Sequence, residues 1–179
     1  VLDTLDQKMT MYFKNDGDAI YVIGQNRNDI NCSEYLYNVL GVSHSPAPHF
    51  DLEEEYSLQD VVLKAVRSKV VNSAHDTAEG GLFVTLVESA MQKNMGFEIT
   101  TDSNIRKDAF LFGEAQSRVV VSVSADKVAA FEAAMGSHPY SKIGTVNATG
   151  SIKIDNADWG YIKDWKEAYD TAIEKLLNA

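Results

Sequence analysis

The sequence predicts an α/β (α+β) fold, and three observations predict it. Short runs rich in β-branched and aromatic residues alternate with segments of helical periodicity, which favours stacked layers of helix and sheet over an all-α or all-β chain. Hydrophobic residues make up 45% of the composition, as in chains with a packed core. The length of 179 residues suits one domain of ordinary size, or one domain with a flanking arm.

The elements follow in order. Met9–Phe13 reads as a first strand, and the turn Asn15–Asp18 leads into Ala19–Gly24, a short apolar run bounded by glycines, as expected of a buried strand. Asn31 followed by Glu34 reads as a capping box opening a helix that carries Tyr35, Leu36, Val39 and Leu40 inward and stops at Gly41. His44–Phe50, with two of the three prolines, is an extended connection. A second helix spans Leu52–Ser68. Its acidic first turn (Glu53, Glu54, Glu55) and basic end (Lys64, Arg67) suit the helix dipole better than a metal site. Lys69–His75 reads as a strand, and Leu82, Phe83, Leu86, Val87, Ala90 and Met91 recur at helical spacing after it. Phe97–Thr100 and Arg118–Val123 are further strands, and Ala125–Met135 a helix. Ile143–Asn147 and Ser151–Ile154 flank a short loop that fits a β-hairpin. The last helix aligns Trp165, Tyr169, Ala172, Ile173 and Leu176 on one face, which the pattern assigns to the core.

Charge and cysteine usage exclude several function classes. A net charge of −10 repels phosphodiester backbones, so the expectation is no nucleic-acid partner. The single cysteine, Cys32, permits no internal disulfide or cysteine cluster, which suits a reducing, cytoplasmic setting; a buried apolar thiol is its expected state. His44, His49 and His138 lack metal-ligand spacing and read as surface residues. No run approaches the roughly 18–20 apolar residues of a membrane span, and no signal peptide opens the chain, so no membrane partner is expected. Val1 is not an initiator methionine, and the opening reads as the middle of a longer polypeptide.

Two stretches stand out for chemistry. In Ser73–Leu82 a strand ends in polar residues and feeds a glycine-containing helix start. Free N–H groups in a first helical turn, with glycines at Gly80 and Gly81, could hold a phosphate, with His75 and Asp76 at its rim. A second reading fits the same residues: Asp76 or Thr77 caps the helix, the glycines let it approach the sheet closely, and His75 is a satisfied buried histidine. In Phe112–Arg118, the groups of Glu114, Gln116, Ser117 and Arg118 crowd the start of an apolar strand. Arg118 there either grips an anion as a rigid fork or pairs with one of the many acids, beside a turn bonded by Ser117.

Together these stretches resemble a known family. His75-Asp-Thr-Ala-Glu-Gly-Gly-Leu82 is similar to the His-Asp-x-x-x-Gly-Gly-Leu motif of the C-terminal domain in the aminoimidazole ribonucleotide synthetase superfamily, and Gly113-Glu-Ala-Gln-Ser-Arg118 resembles the corresponding segment of the phosphoribosylformylglycinamidine synthases. Gly17–Gly24, Ser33–Tyr35, Asp51–Glu53, Ile143–Val146 and the tryptophan-bearing tail match more weakly in the same order. Two departures are Asn31-Cys32, where the family has Gly-Gly, and Ala115 in place of serine.

The resemblance implies a mixed β-sheet packed with helices. Residues 25–179 would form the C-terminal-type domain, and 1–24 a strand segment ending a preceding domain or opening this one. It implies part of an ATP-dependent amidotransferase of purine biosynthesis. In that reaction ATP activates the formamide oxygen of formylglycinamide ribonucleotide, and glutamine-derived ammonia displaces phosphate to leave an amidine. Magnesium (Mg2+) and ATP would be bound mainly by N-terminal synthase domains of the same polypeptide, and ammonia supplied by a glutaminase domain or subunit. The isolated chain would then be inactive. His75, Asp76, Gly80 and Gly81 would help hold a phosphate of a small-molecule nucleotide substrate, with Glu114, Gln116, Ser117 and Arg118 supporting the site or an interface. Another superfamily member (the cyclising synthetase, a hydrogenase-maturation or a selenophosphate-type enzyme) and a non-catalytic scaffold domain are the alternatives.

Overall fold

The computed structural model describes residues 4–178. Its centre is β1 (Ala19–Ile23), the strand that the glycine-bounded apolar run predicts, and all five of its residues are buried. Being apolar on both faces, it is covered on both. Ile20 and Val22 pack among Leu82, Phe83 and Leu86 of α2 (Gly81–Met91) and Phe110 and Leu111 of α3 (Lys107–Phe112). Ala19, Tyr21 and Ile23 pack among Leu58, Val61 and Ala65 of α1 (Leu52–Arg67) and Phe131 and Met135 of α4 (Val128–Met135). Asp51 starts α1 in the way its sequence suggests, its Oδ1 accepting from the amides of Glu53 and Glu54 at 2.9 Å.

Seven strands form one mixed sheet in the order β2-β4-β1-β5-β3-β6-β7. The others are β2 (Ser73–Asp76), β3 (Gly96–Ile99), β4 (Val119–Val123), β5 (Tyr140–Asn147), β6 (Ser151–Ile154) and β7 (Ala157–Tyr161). Every pairing is antiparallel except β3 with β6. The α1–α4 layer covers only the half around β1. On the other half Thr145, Glu98 and Lys153, in register across three strands, leave one face polar and exposed.

The structure corrects several expectations. β5 and β6 are not a hairpin, because β3 lies between them, pairing with both. The loop between them arches over Gly96, where a Cβ would come within 2.1 Å of the Ser151 carbonyl, so a side chain there would block the arch. The true hairpin at this end joins β6 to β7 through Asp155 and Asn156, whose φ values of +51° and +64° are those of a primed turn. β7 and α3 have no counterpart in the sequence reading.

Met9–Phe13 is not a strand, although Phe13 is fully buried, and residues 1–3 of the N-terminal segment lie outside the described residues. The helix over 31–41 is a single π-helical stretch, Tyr35–Val39, with no buried residue; Ser33 Oγ, not Asn31, accepts from a first-turn amide. Val39 and Leu40 face outward. The tail face is also uncovered: α5 (Ile162–Asp170) buries only Ile162, and α6 (Ala172–Leu177) buries nothing. Cys32 is exposed rather than buried. Among the described residues no helix is long and apolar enough to cross a membrane.

Candidate functional site

The two stretches marked in the sequence meet in space. β2 ends at Asp76 beside the start of β4, and the amide of Thr77 donates to the carbonyl of Arg118 at 3.0 Å, continuing the ladder past the strand. With α1, the segments 76–79 and 114–119 line a cleft of about 540 Å³. Its walls include Glu55, Asp76, Glu79, Glu114, Gln116 and Arg118.

Strand alternation separates two residues that the sequence reading placed together. Asp76 faces the cleft. His75 turns to the opposite side of the sheet, where its Nδ1 lies 3.2 Å from the carbonyl of Thr85 and 3.1 Å from Ser89 Oγ, and its Nε2 lies 3.5 Å from Glu88 Oε2. The histidine is thus held against α2, away from the cleft.

The two glycines do not present free amides. Gly80 N–H donates to Glu114 Oε1 at 2.9 Å, and Gly81 N–H donates to the carbonyl of Ala78 at 3.0 Å. Both residues adopt left-handed φ values, +82° and +68°, and Gly80 occupies the N-cap position with no side-chain cap, so neither Asp76 nor Thr77 plays that part. Close approach does occur at Gly81, but to protein: a Cβ there would stand 2.7 Å from the carbonyl carbon of Phe112. The glycine pair therefore packs the start of α2 against the end of α3, and the oxyanion berth expected at these amides is occupied by the chain's own groups.

Glu114 closes the arrangement, because the same Oε1 also accepts from the amide of Glu34 at 2.8 Å. One carboxylate oxygen thereby ties the 31–34 turn to the 77–80 turn. Arg118 is spent internally too. Its Nη2 donates to the carbonyl of Gly113 at 2.6 Å and its Nε to that of Ala115 at 3.2 Å, which fixes the loop leading into β4. Burial pulls its pKa down to about 10, against the nearby Asp29 carboxylate, which favours the charged form. Ser117, with φ of +64°, donates from Oγ to Glu55 Oε2 at 2.8 Å and pins the loop to α1.

Among the described residues, the side chains left facing the cleft without a protein partner are Asp76, Glu79 and Gln116, together with the buried hydroxyl of Thr77. Glu79 and Glu55 are lining groups that the sequence reading did not select. Glu79 sat inside the marked motif, whereas nothing in the sequence brings Glu55 of α1 next to Ser117. Among the described residues, four carboxylates line the cleft and its one cation, Arg118, is turned to backbone carbonyls, so the surface is acidic. Carboxylate oxygens suit magnesium in kind. Among the described residues, however, no three such groups converge closely enough to hold an ion, so these residues alone do not fit a magnesium site.

Comparison with known proteins decides the family. A family model described as AIR synthase related protein, C-terminal domain, matches residues 15–155. The chain belongs to this family. Among the family's curated relatives, the phosphoribosylformylglycinamidine synthase subunit PurL of Caldanaerobacter subterraneus subsp. tengcongensis is 39% identical over 128 residues, 72% of this chain and 18% of that protein. PurL of Leuconostoc mesenteroides is 34% identical over 182 residues, covering 100% of this chain and 24% of its own length. The chain thus spans about a fifth to a quarter of the curated relatives it matches. Among solved structures, T. maritima PurL complexed with FGAR superposes with a TM-score of 0.76 at 16% identity, over 90% of this chain and 30% of that one. Hydrogenase maturation protein HypE in complex with ATP gives 0.59 at 17% identity, over 85% and 52%. At such identities these structures establish a shared fold.

Proposed function

We propose that this chain is a C-terminal-type domain of a phosphoribosylformylglycinamidine synthase, and that its acidic cleft forms one wall of a site completed by other domains of that enzyme. The whole enzyme would use ATP and glutamine-derived ammonia to convert formylglycinamide ribonucleotide into the corresponding amidine in the cytoplasm, in partnership with a glutaminase domain or subunit. The observation that carries this reading is the convergence of both motif segments, 76–79 and 114–118, on one cleft.

The chemistry available limits what this wall contributes. With the Gly80 and Gly81 amides and the Arg118 guanidinium engaged internally, no positive group lining the cleft among the described residues is free to neutralise a nucleotide's phosphates. The cations for them, magnesium included, come from elsewhere in the enzyme, and no step is assigned to a metal at this wall. Asp76 and Glu79 accept hydrogen bonds from hydroxyl or N–H groups of a ligand, and Gln116 can donate or accept. Glu114, Ser117 and Arg118 support the wall by fixing the loops that carry it.

The test is kinetic. In the full-length enzyme, Asp76→Asn combined with Glu79→Gln should lower kcat/KM at least about 10-fold, or about 1.4 kcal/mol, with the melting temperature preserved. The isolated 179-residue chain, supplied with ATP, magnesium, glutamine and formylglycinamide ribonucleotide, should form no product. Unchanged kcat/KM in the double variant, or turnover by the isolated chain, overturns the reading.

A further inference from the structure

The last two helices hold an apolar stripe that this domain does not cover. Ile162, Trp165, Tyr169, Ala172 and Leu176 recur at alternating spacings of three and four, the pattern of a helix seam. The first turn is anchored: Ile162 is buried, and Trp165 meets the ring of Phe83 edge-on at 5.0 Å while its Nε1 donates to the carbonyl of Trp159 at 3.2 Å. Past Asp170 the helix leaves the body. Tyr169, Ile173, Leu176 and Leu177 are between 62% and 81% exposed. Two helical turns exposed on every side gain nothing from packing, and a segment that short is marginal in water.

We propose that Tyr169, Ile173, Leu176 and Leu177 dock onto another domain of the same polypeptide, through an apolar surface. Three arguments select this occupant. The relatives are about four times as long as this chain, so most of such a polypeptide lies outside it. Four side chains fall far short of the roughly 20–30 residues a side that an independent interface buries. They suffice when a linker supplies an effective concentration near the millimolar range. A second copy is disfavoured because each copy carries a net charge of −10. The proposal rests on family membership and chain length, and holds whatever the cleft binds.

Hydrogen exchange tests it on the full-length protein and on the 179-residue chain in parallel. The amides of 172–177 should exchange at least about 100-fold more slowly in the full-length protein, at a rate independent of protein concentration. Ile173→Lys combined with Leu176→Lys should abolish that protection while the amides of β1 and β4 keep theirs. Equal, fast exchange in both proteins overturns the proposal. So does protection that rises with protein concentration, which assigns the stripe to a second copy, or protection gained only on adding a separate subunit.

Discussion

Replacing Arg118 with methionine separates an internal brace from a ligand grip. The side chain is 3% exposed, and burial pulls its pKa down to about 10. That shift corresponds to about 3 kcal/mol against the charged form. Against this stand two charge-assisted hydrogen bonds, to the carbonyls of Gly113 and Ala115, each worth about 1.5–3 kcal/mol. The arginine itself is therefore close to balance. The variant is not, because methionine leaves two buried carbonyls without a donor, at about 1–3 kcal/mol each. A net loss of about 2–6 kcal/mol follows, or roughly 4–24 °C in melting temperature for a domain of this size. Lysine should fall between the two, since a single ammonium lacks the fork that spans both carbonyls. Thermal unfolding followed by circular dichroism reads the effect. A melting temperature within about 1 °C of the parent's would refute the brace. Lost nucleotide affinity in the full-length enzyme at unchanged stability would assign the guanidinium to a ligand.

Two further predictions concern the same region. Gly81→Ala should destabilise more than Gly80→Ala. Both force a left-handed residue, at about 1–2 kcal/mol, but the new methyl at 81 meets the immovable backbone of Phe112 and Gly113, whereas at 80 it meets the side chain of Val84; urea midpoints rank them. His138 sets a pH dependence. Its Nδ1 lies 3.2 Å from Ser57 Oγ, its Nε2 has no partner among the described residues, and burial lowers its pKa below 6.5. The unfolded chain therefore binds the proton first, so the stability held above the unfolded value is lost as pH falls through about 6.5. His138→Gln should flatten that fall, measured as urea midpoints between about pH 7 and pH 5.

Much of the molecule was legible in local patterns. Periodicity placed β1, α1, α2 and β4, because strands buried on both faces and helices with one buried face write their environment into consecutive residues. Asp155-Asn156 was a readable hairpin signal that the more obvious loop at 148–150 obscured. The tail misled for a definite reason. A stripe such as Tyr169, Ile173 and Leu176 reports an amphipathic helix, not that its apolar face is covered within the same domain. The 31–41 segment misled similarly, its apolar residues Val39 and Leu40 facing outward.

From the amino acids alone come the layered α/β character, the family motifs and the two segments that converge on the cleft. Tertiary structure alone decided what those segments do there. Strand alternation sent His75 and Asp76 to opposite faces, and insertion of β3 split an apparent hairpin. Contacts between residues distant in sequence gave the Gly80 amide to Glu114 and turned Arg118 onto its own loop. A motif names the groups able to bind an anion; whether those groups are free depends on which partners folding brings within hydrogen-bonding distance.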